Sequence, residues 1–544
     1  MMKNIFFFLL FLLFSVVAIS QPLQGFFLNA WKEKKVEMPL SEKKAAIKEK
    51  HTVLIKVNTA KTATLVSPFL YGNNTNQWMG QVVTEPVLVK QVEKLSPNIL
   101  RYPGGNFSNI FFWNAEQNKK PADVPDTILY GDNRLLRKSR FSYGMSNDEK
   151  GLSLDNYYKL LEQTGSKGTI CVNAGYARYG LSEKPVATAA HYAADWVRYD
   201  KGRTRFWEIG NEDYGEWQAG YKIDVTKNKD GQPEIISGEQ YGKIFREFAD
   251  SMRQAAKEIN AIIYIGATIV EANDHREIKK NWNKGFFKSA GNAADFFVVH
   301  SYYTPYEQNS GAETILNTAV AVTDSMMSHI RQMCRENDIA MKPVALTEWN
   351  IFAVRSKQQT SFINGMHAAL VLGEMAKQQY GMACRWDLAN AYADGDDHGL
   401  FNKGDEPGMP KWSARPAYYY LYYFQRFFGD RLLASSSTDS SVVTFASSFS
   451  DGKKGLVLVN TSAEKKVAML QIPGKSSSSA CVYSLTGGTD NGSFSQKLFI
   501  NEKGPQLPAG GPEMFEEIKA WKYTFNNKMK LALPARSVQY ILID

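Results

Sequence analysis

Cysteine is scarce in this chain. Its 544 residues hold four, Cys171, Cys334, Cys384 and Cys481, and no two lie close together. That spacing excludes a paired-cysteine metal knuckle and a disulfide-dense scaffold. Cys171 and Cys384 fall inside strand-like runs and are expected to be buried and free. Beyond the first 20 residues no apolar run is long enough to span a bilayer. No glycine-rich phosphate loop follows a first strand, which argues against a dinucleotide-binding, doubly wound sheet. Internal repeats and nucleic-acid motifs are also lacking, so no nucleic-acid partner is expected.

The one long apolar run comes first. Lys3 precedes Asn4 to Ile19, and Ala18-Ile-Ser20 precedes Gln21. This order is that of a signal peptide cut after Ser20. A membrane anchor is the alternative, but the run is short for a spanning helix of roughly 20 residues. The mature chain is expected to be secreted or periplasmic, without stable membrane insertion. Net charge is +9 and the pI about 9.0, with the lysines scattered. A solvated surface accounts for that balance; an acidic substrate, such as a uronic-acid or sulfated glycan, is the other reading.

Hydrophobic residues make up 44% and aromatics 13%, enough for a large core and more than one domain. Within residues 21–64, the lysine-rich stretch 21–50 reads as a short helix or a loose arm, and Val53 to Val57 as an alternating strand expected to join a C-terminal β-domain. Across residues 65–428 strands and helices alternate. The expected strands are Pro68–Gly72, Asn98–Tyr102, Gly168–Asn173, Phe206–Gly210, Ile262–Thr268, Asp295–His300, Pro343–Glu348 and Met382–Trp386. The clearest helix spans Ser237 to Ile259. Ser237 and Gln240 make a capping-box pattern, and Tyr241, Ile244, Phe245, Phe248 and Met252 a helical stripe. Others are expected over Leu154–Thr164, Ala187–Tyr199, Ile315–Asn337, Thr360–Gln379 and Ala417–Phe428. This pattern predicts an α/β fold, a (β/α)8 TIM barrel. Residues 429–544 are serine-rich with short strands and predict an antiparallel β-sandwich.

Two of the barrel strands stop on a carboxylate. One reads Arg205-Phe-Trp-Glu-Ile-Gly-Asn211-Glu212, the other Pro343-Val-Ala-Leu-Thr-Glu348. In a barrel both reach the C-terminal mouth, where chemistry collects. Two carboxyls roughly 5 Å apart can serve as the acid and the nucleophile of a retaining glycosidase.

Here the chain resembles the clan A retaining glycoside hydrolases, and within them glycoside hydrolase family 51, the α-L-arabinofuranosidases. The segments that carry the resemblance are Leu100-Arg-Tyr-Pro-Gly-Gly-Asn-Phe107 with Trp113, Gly210-Asn-Glu-Asp-Tyr-Gly-Glu-Trp-Gln218, Val299-His-Ser-Tyr302 and Thr347-Glu-Trp-Asn350. It implies Glu212 as acid/base and Glu348 as nucleophile, with Arg101 and Tyr302 holding Glu348. It further implies Asn106 and Asn211 on substrate hydroxyls, His300 on the floor of the site, and Trp386 as a face for a sugar ring. No cofactor and no metal are implied, and the partner is an oligo- or polysaccharide. Two positions depart from the family: Asn76 stands where it usually has a glutamate contacting arabinose, and Phe352 where it often has tryptophan. Glucuronidase, xylosidase and algal galactanase activities therefore stay open beside arabinofuranosidase, as does a catalytically silent glycan-binding protein. The loop Asp394-Gly-Asp-Asp-His398 is a solvated turn, a calcium loop or a substrate grip.

Overall fold

The computed structural model describes residues 22–129, 135–137, 140–395, 397–474 and 478–544; the expected signal segment lies outside them. Among the described residues no helix is long and apolar enough to cross a membrane.

Eight parallel strands close into a barrel: β1 (Gly72–Asn74), β2 (Ile99–Tyr102), β3 (Lys167–Val172), β4 (Phe206–Ile209), β5 (Tyr264–Thr268), β6 (Phe296–Ser301), β7 (Val344–Trp349) and β8 (Met382–Arg385). β8 pairs back onto β1 through Arg385 and Asn73. The expected TIM barrel is thus present, with one strand moved. Pro68–Leu70, expected to open the first strand, is a 3-10 turn capped by the Ser67 hydroxyl. A proline there has no N–H for a ladder, so pairing starts at Gly72. That glycine is required, because a Cβ would sit 2.3 Å from the Ala383 carbonyl oxygen.

A helix follows each strand. Gly238–Glu258 begins as expected, its Ser237 hydroxyl accepting from the Gln240 N–H, and all five residues of its apolar stripe are buried. Pro86–Leu95 and Glu277–Ala290 are helices not foreseen from pattern. The second is rich in lysine and asparagine, and asparagine is a weak helix former. Tertiary packing holds it: Trp282 and Phe286 lie 5.1 and 5.6 Å from the Tyr241 ring, centroid to centroid.

Strand alternation divides the barrel interior into two levels. At the N-terminal end Phe206, Phe296, Val298, Ala345 and Met382 form an apolar cluster. Phe27, from the 3-10 segment Gly25–Ala30, plugs it, 5.0 Å from Phe206 and 5.4 Å from Phe296. Two residues up β4 from Phe206, the same face carries Glu208, fully buried. Trp207 and Ile209 belong instead to the main core cluster, which includes the surrounding helices.

Val53–Leu65 pairs antiparallel with Arg431–Ser437 and parallel with Lys466–Gln471. Ser41–Lys43 adds a second parallel contact, to Ala520–Lys522. The C-terminal strands and these two form one hydrogen-bonded path of mixed direction, where an antiparallel sandwich was expected. A separate apolar cluster gathers Val53, Leu433, Leu456, Leu470, Val482 and Ile541. Tyr540 at the domain contact donates to the Tyr420 carbonyl at 2.8 Å, from inside the buried helix Pro416–Phe427. All four cysteines are free and buried.

Candidate active site

Glu212 lies three residues past β4, and its placement depends on an unusual turn. Gly210 has φ +76°, and Glu212 itself sits in the left-handed region at φ 47°. A non-glycine residue held there costs about 1–3 kcal/mol, and such strain clusters at functional sites. The turn aims the carboxylate across the barrel mouth. His300 Nδ1 is 3.0 Å from its Oε1, and the Trp217 indole N–H donates to Oε2 at 2.6 Å.

Glu348 is re-aimed by a bulge. Along β6 and β7 the partners run Val299 with Leu346 and then His300 with Glu348, leaving Thr347 as the extra residue. Bulges turn a side chain away from simple alternation; here the change of register brings Glu348 to the mouth. The Thr347 carbonyl that this displaces accepts from the Asn74 side chain at 2.8 Å. Tyr302 donates to Glu348 Oε1 at 2.6 Å, and Arg101 lies 3.2 Å from Oε2.

Arg101 is fully buried and reaches four side chains. Its Nε and Nη2 are both 2.9 Å from Glu208 Oε2, its Nη1 donates to Asn74 at 3.1 Å and to Glu348, and its Nη2 donates to Asn211 at 2.8 Å. One guanidinium therefore ties β1, β2, β4 and β7 together. Oxygens of Glu212 and Glu348 and a nitrogen of His300 all lie within 4.8 Å of one another. Such a trio has the donor types to hold a metal ion, but Arg101 already sets a cation against Glu348, and we assign no metal there.

Burial raises the Glu212 carboxyl, but His300 and Trp217 outweigh it and hold the group down at about 2. Glu348 is pushed up, by burial and by the charge of Glu212, against the pull of His300, Arg101 and Tyr302. For Glu212 this is the reverse of what a proton donor needs. It describes a carboxyl that faces His300 at 3.0 Å rather than a glycosidic oxygen.

The other expected residues divide. Asn211 is buried beside Arg101, with its Nδ2 lacking a partner among the described residues. Asn106 accepts from Gln218 Nε2 at 2.7 Å, and Gln218 in turn approaches Glu212 at 3.4 Å. Asn76 directs its side-chain hydrogen bonds away from either glutamate. It is fully buried and donates to Asp387 and, at 3.0 Å, to the Ala389 carbonyl. Trp386 lies just past β8, with Gly105 packed against its ring and Trp78 edge-on at 5.8 Å. Phe352 stands edge-on to Tyr302 at 6.3 Å. In the loop after β8, residue 396 and the side chain of 394 lie outside the described residues. Asp397 is paired with Arg415 at 2.6 Å, and the His398 ring lies 5.4 Å from Tyr302.

Sequence reasoning passed over Glu208, Thr347, Trp217, Asn74 and Asp387. For Glu208 the signal was available: it is two residues from Phe206, so both share the inward face. Trp217 lies inside the motif that runs from Gly210 to Gln218. Asp387, raised well above the usual carboxylate range by burial, stands directly after the expected strand Met382–Trp386, and that position was its signal.

Residues 91–319 match the family model for the alpha-L-arabinofuranosidase 1 domain. An intracellular exo-alpha-(1->5)-L-arabinofuranosidase of Streptomyces lividans is 22% identical over 50% of this chain and 38% of its own length. A hyaluronoglucuronidase of Hirudo nipponia is 21% identical over 62% of this chain and 65% of its own. The chain thus spans less than half the length of the first of these. Among solved structures, an alpha-L-arabinofuranosidase of Thermotoga maritima in complex with arabinose superposes with a TM-score of 0.63, at 17% identity over 90% of this chain and 99% of that one. These matches bear out the resemblance read from the motifs.

Proposed function

We propose that this chain, a family 51-like clan A glycoside hydrolase by motif and fold, is a retaining glycosidase of the α-L-arabinofuranosidase type acting on plant or algal polysaccharide. The observation that carries the reading is the approach of Glu212 and Glu348 within 4.8 Å at the barrel mouth, the separation suited to a covalent glycosyl intermediate. Glu348 attacks the anomeric carbon while the proton of the Glu212–His300 pair passes to the departing oxygen through Glu212. Glu212 then takes a proton from water as that water displaces Glu348 from the sugar. Arg101 and Tyr302 steady Glu348, while Asn106 and Asn211 bind hydroxyls. Residues 1–20 serve as a signal peptide, 65–428 as the catalytic barrel and 429–544 as a bracing β-domain joined by the 21–64 segment, in a secreted or periplasmic enzyme.

A second reading is a glucuronidase type acting on an acidic glycan. The charge of +9, the likeness to the Hirudo nipponia protein and the seclusion of Asn76 with Asp387 favour it.

The test is product release from plant, algal and uronic-acid polysaccharides by protein starting at Gln21, with Glu348→Gln as control. Arabinose released by the wild type alone supports the first reading; uronic-acid products move the chain to the second. Equal turnover by Glu348→Gln would sink the nucleophile assignment.

A further inference from the structure

Glu208 is linked through neighbouring side chains to both candidate catalytic carboxyls. It is fully buried on β4. Its Oε2 takes two contacts from Arg101 at 2.9 Å, and Arg101 in turn contacts Glu348. The same oxygen lies 3.3 Å from the Thr347 hydroxyl, which is 3.2 Å from His300 Nε2, and His300 Nδ1 is 3.0 Å from Glu212. A continuous line therefore runs Glu208, Thr347, His300, Glu212.

The line has a direction because a hydroxyl carries one hydrogen. A carboxylate held by a guanidinium only accepts, so the Thr347 hydrogen points to Glu208. Its oxygen must then accept from Nε2–H of His300. In a neutral ring that leaves Nδ1 without hydrogen, facing Glu212 Oε1. A hydrogen bond across that 3.0 Å gap then needs one further proton, either on Glu212 or on Nδ1. With the Thr347 hydroxyl reversed, a neutral ring could donate from Nδ1 to an ionised Glu212, and no proton would be stored.

We propose that Glu208 is a positioning residue that fixes the tautomer of His300 through Thr347, so that the Glu212–His300 pair retains the proton used on the leaving group, while it anchors Arg101 beside Glu348. The catalytic half of this proposal rests on the glycosidase reading above. The groups facing the ring besides Thr347 and Glu212 are Glu348, 3.8 Å from Nδ1, and Glu271 past β5. Lys279 acts on Glu212, and Glu212 in turn acts on Asp213 and Tyr214.

The experiment reads the tautomer directly, by nitrogen-15 NMR of the full chain labelled at histidine. His300 signals are assigned by their loss in His300→Gln. Wild type is expected to carry hydrogen on Nε2. Glu208→Gln, whose amide can donate to Thr347, and Thr347→Val, which is nearly isosteric, are both expected to leave Nε2 bare with hydrogen on Nδ1. Glu208→Asp keeps the acceptor charge and is expected to restore Nε2–H. A bare Nε2 in wild type, or no change in Thr347→Val, overturns the proposal; the valine variant still decides the matter if Glu208→Gln does not fold. In kinetics, the alkaline limb of kcat/KM should fall by about one pH unit, tenfold, in Thr347→Val. An equal loss at every pH would leave Thr347 and Glu208 as structural anchors and also overturn it. Turnover surviving in Glu348→Gln sinks the glycosidase site while leaving the NMR result standing. A dead Glu348→Gln with unchanged His300 signals sinks only the role of Glu208.

Discussion

The indole N–H of Trp217 donates to Glu212 Oε2 at 2.6 Å, from five residues further along the chain. Every such donor favours the ionised carboxyl, and it contributes to holding Glu212 at about 2. Trp217→Phe keeps a ring and removes the donor. A hydrogen bond to a charged group contributes about 1.5–3 kcal/mol, so the Glu212 carboxyl is expected to rise by roughly one to two pH units. The pH profile of kcat/KM checks this: the limb marking loss of the proton from the Glu212–His300 pair should move to higher pH.

Tyr302 tests the other carboxyl. Its hydroxyl is the closest donor to Glu348, at 2.6 Å, and Arg101 stands 3.2 Å from the second oxygen. Tyr302→Phe is expected to leave Glu348 facing its pocket with one donor fewer. The loss of about 1.5–3 kcal/mol corresponds to roughly 10–100-fold in kcat/KM. Tyr302→Phe kinetics within twofold of wild type would remove Tyr302 from the group that steadies Glu348.

Asp213, next in the chain to Glu212, gives a prediction about the fold itself. Burial pushes its carboxyl up to about 7, against the Asn109 amide that donates at 3.2 Å. Between about 4, where an unfolded aspartate titrates, and 7, the folded state binds more protons than the unfolded one. Stability contributed by this group is therefore complete at about pH 4 and lost as pH rises towards 7, at most about 1.4 kcal/mol per pH unit. Asp397, also raised to about 7 by burial, acts with the same sign. Glu212 acts in the opposite sense but in a lower window, from about 4 down to about 2. Asp213→Asn should make urea-unfolding stability fall less steeply between pH 5 and 7.5.

The barrel could be read from the sequence because eight apolar runs alternate with helical periods, and because the two strand-ending glutamates come with long, ordered motifs. Arg101, His300 and Tyr302 were legible for the same reason. The finer geometry was not. The β7 bulge that turns Glu348 depends on pairing between β6 and β7, and pairing leaves no period in either strand. Asn76 carried a family position into the reading, yet a buried bond to Asp387 decides where its side chain goes. Residues 22–30 read as no more than a short helix or a loose arm because Phe26 and Phe27 acquire a purpose only once the barrel floor exists.

That floor yields the last prediction. Phe27 is fully buried, and its ring meets Phe26, Phe69, Phe206 and Phe296 at 4.6 to 6.3 Å. Its partners come from β4, β6 and the turn before β1, so one side chain closes several strands from below. Gly381 lies against it, where a Cβ would be 2.1 Å from Phe27 Cδ2, so the neighbouring backbone is already at contact distance. Truncation would leave a cavity that closely packed aromatic neighbours can fill only in part. Phe27→Ala is expected to cost about 3–5 kcal/mol, read as a lower urea midpoint with an unchanged m-value. The active-site groups sit at the opposite end of the strands, so any activity that survives folding should keep the wild-type pH profile. A cost below about 1 kcal/mol would mean that the segment carrying Phe27 covers the barrel floor without packing into it.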